Sequence, residues 1–295
     1  MIKSSSIGSK VFNGFNYALM ALLTFSCLYP LWYTFCTSIS DKAATSAGLV
    51  TFWPIGPNLR SYQEIMRDSA FFNSLWISAQ RTVLGTAFTL VVIIMLGYAL
   101  SRKKASFASR NAFMWIVIFC MVFNGGTIPW WMMMKAYGLM DSVWGLVLCG
   151  SLPTFNVILV MNFFRNLPAD VEEAAVVDGA GPWRILWGIV VPCSLPVLAT
   201  VTLFVSVGYW NEFFQGLVLS STQAHYPLQT YIKQLVVNIP QGQSLSREEM
   251  IRITQLSNRG LNAAKVFITM IPMLLIYPFL QRYFISGIML GAVKE

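Results

Sequence analysis

Charge is scarce in this sequence. Asp, Glu, Lys and Arg supply 11% of its 295 residues, against about 25% in soluble domains. Hydrophobic residues make up 56%, more apolar surface than a water-solvated domain can hide and a natural composition for a chain whose solvent is hydrocarbon. Histidine is scarcer still, with His225 alone and no Cys or second His near it. There is no His-Glu-x-x-His, no Gly-x-Ser-x-Gly and no Gly-x-x-x-x-Gly-Lys-Ser/Thr. Zinc hydrolysis, serine acyl transfer and Walker-type ATP binding therefore have no motif to stand on, and the chain is expected to be no enzyme and to bind no cofactor itself. The five cysteines, Cys27, Cys36, Cys120, Cys149 and Cys193, all fall inside apolar stretches without metal-type spacing, so they read as inert packing residues.

What is present is a set of long charge-free runs. None of the four charged residue types occurs between Lys10 and Asp41, Arg81 and Arg102, Arg110 and Lys135, Asp141 and Arg165, or Arg184 and Glu212. A shorter run lies between Lys265 and Arg282 and extends back to about Gly260, with Lys265 near the membrane surface. Crossing hydrocarbon takes about 17 to 25 helical residues. The pattern predicts an all-α polytopic membrane protein, a single transmembrane domain over 1–295, with six helices at about 12–39, 72–100, 111–134, 142–164, 184–220 and 260–282. The first run follows Lys3 and Lys10 as a signal peptide would. Its length, its aromatics Tyr29, Trp32 and Tyr33, and the lack of a clean Ala-x-Ala-like site make it read as a retained span.

The net charge of +8 suits anchoring at a membrane rather than nucleic acid. Its densest cluster, Arg102, Lys103, Lys104 and Arg110, sits in the short loop Ser101 to Arg110. By the positive-inside rule that loop is cytoplasmic, and both termini with it. The longer outer stretches carry Lys42, Arg60, Arg67, Lys233, Arg247, Arg252 and Arg259, but long loops obey the rule weakly.

The segment 167–182, Leu-Pro-Ala-Asp-Val-Glu-Glu-Ala-Ala-Val-Val-Asp-Gly-Ala-Gly-Pro, is the most informative. Pro168 suits a first helical turn, with Asp170, Glu172 and Glu173 at the positive end of the macrodipole. Gly179 can close the helix in the left-handed region, and Pro182 can open the next. A helix of about three turns results, with Val171, Ala174, Ala175 and Asp178 on one face of little bulk. That face is either a docking surface for another protein or the side of an ordinary solvated loop helix.

Glu173-Ala174-Ala175, Gly179 four residues on, then Ile189 and Pro192 closely resemble the EAA signature of ABC importer permeases, with Val191 standing where the family usually has Leu. The resemblance extends along the chain. Asn58-Leu59-Arg60-Ser61-Tyr62, Trp210-Asn211-Glu212-Phe213, and the end, Gln281 to Gly287 followed by Gly291-Ala292-Val293-Lys294, are similar to carbohydrate permeases of the maltose type. Tyr226-Pro227-Leu228-Gln229-Thr230-Tyr231 resembles the subgroup that handles polysaccharide fragments, some of them uronate-containing. The resemblance implies a type I ABC importer permease fold with a cytoplasmic coupling helix, in the bacterial inner membrane. It implies as partners a second, related permease, a dimer of ATPase subunits that bind ATP and Mg, and an extracytoplasmic binding protein delivering an oligosaccharide. The coupling residues it marks are Glu172, Glu173, Ala174, Ala175, Asp178, Gly179, Ile189 and Pro192.

Other candidates rest on residue type. Glu212 is the one acid near the end of a long apolar run. Intramembrane carboxylates are costly and usually functional, so it reads either as a sugar-path residue beside Tyr209, Trp210 and Asn211 or as an interfacial, paired carboxylate. Asn124 opens Gly125-Gly126-Thr127-Ile128-Pro129, a kink or an unwound, cavity-lining hinge. Trp130, Trp131 and Met132 to Met134 read as an interfacial belt and packing filler. A secondary transporter would show repeated halves and several intramembrane charges, and neither is seen. An amino-acid permease would share the coupling signature but not the sugar-type tail.

Overall fold

The computed structural model describes residues 7–103, 107–150, 152–237 and 259–292, with their side chains except at 236, 237, 277 and 279–292. Lys104, Ser106, Arg247, Arg252, the Pro240 and Gly242 punctuation, Val293 and Lys294 lie outside the described residues. Every regular element among the described residues is helical. Chain contacts divide the protein into two compact units, 1–69 with 234–271, and 70–233 with 272–295.

In the first unit, α1 (Ile7–Ile39) is exposed along most of its length and buried only at Cys36, Thr37 and Ser38. The chain then turns through α2 (Lys42–Ser46) and α3 (Arg60–Ile65). Asp41 caps α2 by accepting from the Ala43 amide at 3.1 Å, the ordinary use of an Asp before a first turn. Lys265 is buried and donates to Asp68 at 2.6 Å.

The second unit is built on α4 (Ser69–Ser101), 33 residues without a proline. The remaining predicted spans are broken. Span three divides into α5 (Arg110–Val122) and α6 (Thr127–Ala136), bent by 115°. That is a full break rather than a kink: Gly126 has φ +87, and the Asn124 side chain accepts its amide at 2.9 Å. Span four divides into α7 (Val143–Leu148) and α8 (Thr154–Arg165), with Pro153 at the start of α8. Span five divides into α10 (Pro182–Cys193), which contains a π-helical turn at Leu186–Val190, and α11 (Leu195–Asn211), at 83° to each other. Pro192 and Pro196 lack the amides a continuous helix would need there, so the ladder fails between them. Asn211 ends α11, Glu212 is extended, and α12 (Phe214–Leu219) follows. After it come α13 (Leu228–Val237) and α14 (Arg259–Ala292), which runs past the expected end at 282. Among the described residues three helices are long and apolar enough to cross a membrane, or up to five if each bent pair is one span, with α8 a shorter apolar helix.

One core cluster holds the second unit together. Ile93, Ile94 and Leu100 of α4 meet Val157, Val160 and Phe164 of α8 and Val197, Val201 and Val205 of α11. Such aliphatic burial contributes about 1.5 to 3 kcal/mol per fully buried side chain in water. In hydrocarbon it becomes close packing between small-residue surfaces. Gly85 and Gly97 supply that closeness: a Cβ at Gly85 would lie 2.7 Å from the Tyr209 ring, and one at Gly97 would lie 3.0 Å from Val160 Cγ1.

Candidate functional site

The short helix α9 (Ala169–Val177) forms within the segment 167–182 that the sequence singled out. Asp170 and Glu172 fall in its first turn, where the free amides favour negative charge. Its end is a Schellman turn: the Gly179 amide donates to Val176 O at 3.0 Å and the Ala180 amide to Ala175 O at 2.9 Å, with Gly179 at φ +78. Only glycine adopts that conformation without strain.

The face expected from the sequence is divided by the structure. Ala175 is buried and packs with the core cluster, because it lies one side round the helix from the solvent. Val171, Glu173, Ala174, Val177 and Asp178 are exposed. Ile189 packs against the same core, and Pro192 is exposed at the α10 break. Glu172, which the resemblance marks as a coupling residue, turns back into its own chain. Both of its carboxylate oxygens accept from the two terminal nitrogens of Arg102, Oε1 at 2.9 Å. The Arg102 guanidinium also lies over the Tyr98 ring, 4.2 Å from its centroid. The bond to Glu172, which burial opposes, holds the Arg102 pKa above its ordinary value. Close by, Arg165 Nη2 donates to Leu100 O at 3.2 Å.

A second constellation lies further along α4. Arg81, 1% exposed, donates to Leu146 O at 3.2 Å, to Glu212 O at 3.1 Å, to Glu212 Oε2 at 3.0 Å and to the Gln215 side chain. Glu212, 26% exposed, also accepts from the Gln215 amide, Oε1 at 2.9 Å. The carboxylate thus caps α12 across the break that follows α11. Tyr209 is buried, donates to Val147 O at 2.8 Å and meets the Thr89 hydroxyl at 3.0 Å. Arg81, Asn156, Phe204, Tyr209, Glu212 and Gln215 line a cavity of about 250 Å³. Of the residues expected on a substrate path, Tyr209 and Glu212 line it. Trp210, Asn211 and Asn124 do not: Trp210 is buried elsewhere, Asn211 is exposed beside Gln229, and Asn124 holds the α5–α6 turn. Arg81 was missed because it ended a charge-free run. It is nevertheless the one charged residue in the expected second span, as Glu212 is the one acid in the fifth.

The chain matches the family described as "Binding-protein-dependent transport system inner membrane component" over residues 94–289, more than half its length. It belongs to that family. The permease is 32% identical over 286 residues to the "Polygalacturonan/rhamnogalacturonan transport system permease protein YtcP" of Bacillus subtilis, covering 97% of this chain and 99% of that one. "Protein LplC" of the same organism is 32% identical over 285 residues, covering 97% and 95%. A chain of a bacterial ABC transporter "involved in the import of the acidic polysaccharide alginate" superposes with TM-score 0.86 at 32% identity, covering 95% of this chain and 99% of that one. The permease therefore has the type I ABC importer permease fold. It is an inner-membrane transport component, and neither a secondary transporter nor an amino-acid permease is favoured.

Proposed function

We propose that the permease forms half of the translocation path for a carboxylate-bearing oligosaccharide. A separate ATPase dimer binds ATP and Mg and drives it, an extracytoplasmic binding protein delivers the cargo, and a related, non-identical permease completes the path. Both termini and the loop after α4 face the cytoplasm. The observation that carries the transport reading is α9, a capped helix whose exposed face offers Glu173, Ala174 and Asp178 with little bulk around the Gly179 turn. Glu173 makes a charge-assisted bond to a basic residue of the ATPase, and Ala174 and Gly179 let the partner approach. In the cavity, Glu212, Asn156 and Gln215 present acceptors and amides to sugar hydroxyls, and Phe204 offers a ring face. The acidic character of the cargo rests on the two similar proteins named for polygalacturonan/rhamnogalacturonan and alginate.

The test is uptake into vesicles that hold the permease pair, ATPase and binding protein. ATP-dependent uptake of trigalacturonate with little uptake of maltotriose is expected. Equal uptake of both sugars would remove the acidic cargo, and uptake without ATPase would remove the ABC reading.

A further inference from the structure

Two ion pairs are held by one helix, one just past its C-terminal end and one within its N-terminal half. Arg102 follows the last residue of α4 and grips Glu172 of α9, while Arg81, earlier in the same helix, grips Glu212 on the cavity wall. The two arginines are 21 residues apart, about 30 Å at roughly 1.5 Å of rise per residue. We infer that Arg102 and Glu172 are positioning residues for transport: they latch the docking helix to α4, and α4 carries its displacement to the cavity as an axial rod. This rests on reading α9 as the ATPase-docking segment.

The fold leaves few alternatives for that path. A helix transmits motion along its axis only while its hydrogen-bond ladder is continuous; a break absorbs it as bending. In the second unit the α5–α6 pair is bent by 115°, the α10–α11 pair by 83°, and α7 and α8 are separate. Helix α10, the chain's direct continuation from α9, further contains the π-helical turn Leu186–Val190. By contrast, α4 runs unbroken from Ser69 to Ser101.

The grip at the α9 end is stiff. A two-point contact between guanidinium and carboxylate fixes direction as well as distance, and the Tyr98 ring backs the guanidinium. One stripe of the rod's flank has few polar contacts that fix its register. Ser74, Ser78, Thr82 and Thr86 form a buried stripe at four-residue spacing. The hydroxyls of Ser74, Thr82 and Thr86 make no hydrogen bond that would hold one register, and only Ser78 is engaged, accepting the Leu228 amide at 2.7 Å.

The experiment reads motion at the cavity without any cargo. Gly208 lines the cavity, and a Cβ there meets nothing within 4 Å. Gly208→Cys therefore serves as a reporter in a chain whose five native cysteines are replaced by alanine. Its labelling rate by a charged maleimide is measured in the full reconstituted complex, with and without ATP plus vanadate. The parent is expected to change rate about tenfold on trapping, as for a path that opens or closes. Arg102→Glu and Glu172→Arg should each reduce that change to less than about twofold while the ATPase still co-purifies. The double swap Arg102→Glu with Glu172→Arg should recover most of it, since it restores opposite charges at the same place. Arg102→Lys should recover part, because lysine keeps the charge but loses the two-point geometry. Single variants that respond like the parent would overturn the latch. So would a double swap that assembles and hydrolyses ATP yet stays silent. A parent that shows no nucleotide response would instead refute the ABC reading beneath it.

Discussion

Removing the carboxylate at Glu212 tests how much the buried pair holds. In Glu212→Ala, Arg81, 1% exposed in the parent, keeps Leu146 O, the residue-212 carbonyl and the Gln215 side chain, all of them neutral acceptors. Its charge is left without a counter-ion, and the Gln215 amide loses its cap. Breaking a buried ion pair by deleting one partner typically costs about 3 to 5 kcal/mol. Glu212 is 26% exposed, so water can reach the vacated side, and about 3 kcal/mol is expected. A hydrogen bond between neutral groups in a membrane protein averages only about 0.6 kcal/mol, so a loss of that size would mean that charge is not the issue. Glu212→Gln keeps shape and one acceptor and should fall between, at about 1.5 to 3 kcal/mol. Replacing both residues, Arg81→Met with Glu212→Met, should recover most of the loss, because an apolar pair of similar volume removes the stranded charge. The measurement is reversible unfolding in mixed micelles for the parent, the single variants and the double. A Glu212→Ala cost under about 1 kcal/mol, the range of exposed pairs, would refute the reasoning, as would a double variant no better than Glu212→Ala.

Other expectations follow from the same geometry. Gly179→Val should impair transport more than Gly179→Asn. Both put a side chain at φ +78 with open space around it, but a β-branched residue pays the left-handed strain of about 1 to 2 kcal/mol in full, and equal uptake would show that the turn's geometry is unimportant. Glu173→Ala should lower uptake moderately, with subunit recovery in pull-downs near normal, since one charge-assisted bond of about 1.5 to 3 kcal/mol is lost; unchanged uptake in a Glu173→Ala, Gly179→Asp double variant would make α9 a passive loop. Ser46→Cys should label from outside in sealed cells and Lys103→Cys should not; the reverse would invert the topology. Asp141 is held below its ordinary pKa by the Ser221 amide first and then the Ser221 hydroxyl, opposed by desolvation, with His225 adding a smaller pull. A depressed carboxyl contributes stability above its ordinary value and loses it as pH falls through the lowered one. Protection of the Ser221 amide, taken relative to its intrinsic exchange rate at each pH, should therefore fall only on the acid side of the usual carboxylate range, and Asp141→Asn should abolish that dependence.

Helix content was legible because apolar composition and charge-free length speak directly to the solvent. The breaks were harder. Hydropathy sums over a window and takes no account of direction, so Phe123 to Gly126 and Cys193 to Pro196 score like any other stretch although the chain turns by 115° and 83° beside them. The local signals were present in each case. Two glycines after an asparagine invite an Asx turn that reverses the path. Two prolines four apart remove neighbouring rungs of the ladder. Read as punctuation and not as tolerated irregularities within a span, they mark the break points of α5–α6 and α10–α11.

The site residues divide by the same logic. Glu172 and Glu173 are neighbours in sequence, yet adjacent helical positions point about 100° apart, since a turn takes about 3.6 residues. One partner cannot take both. With Ala175 facing the core, Glu172 falls on the inward side and Glu173 on the outer one, so an internal cation was required before any external one. The basic cluster after α4 supplied it in Arg102. Arg81 follows the same rule in the N-terminal half of the helix. A lone arginine within one span and a lone glutamate within another are each expensive in hydrocarbon, and the cost falls only if they meet. Window averages erase each of them, but opposite charges in separate spans do not average away; they predict a contact. The pair found here links α4 to the α11–α12 break, where the helix that precedes Arg102 reaches the cavity wall.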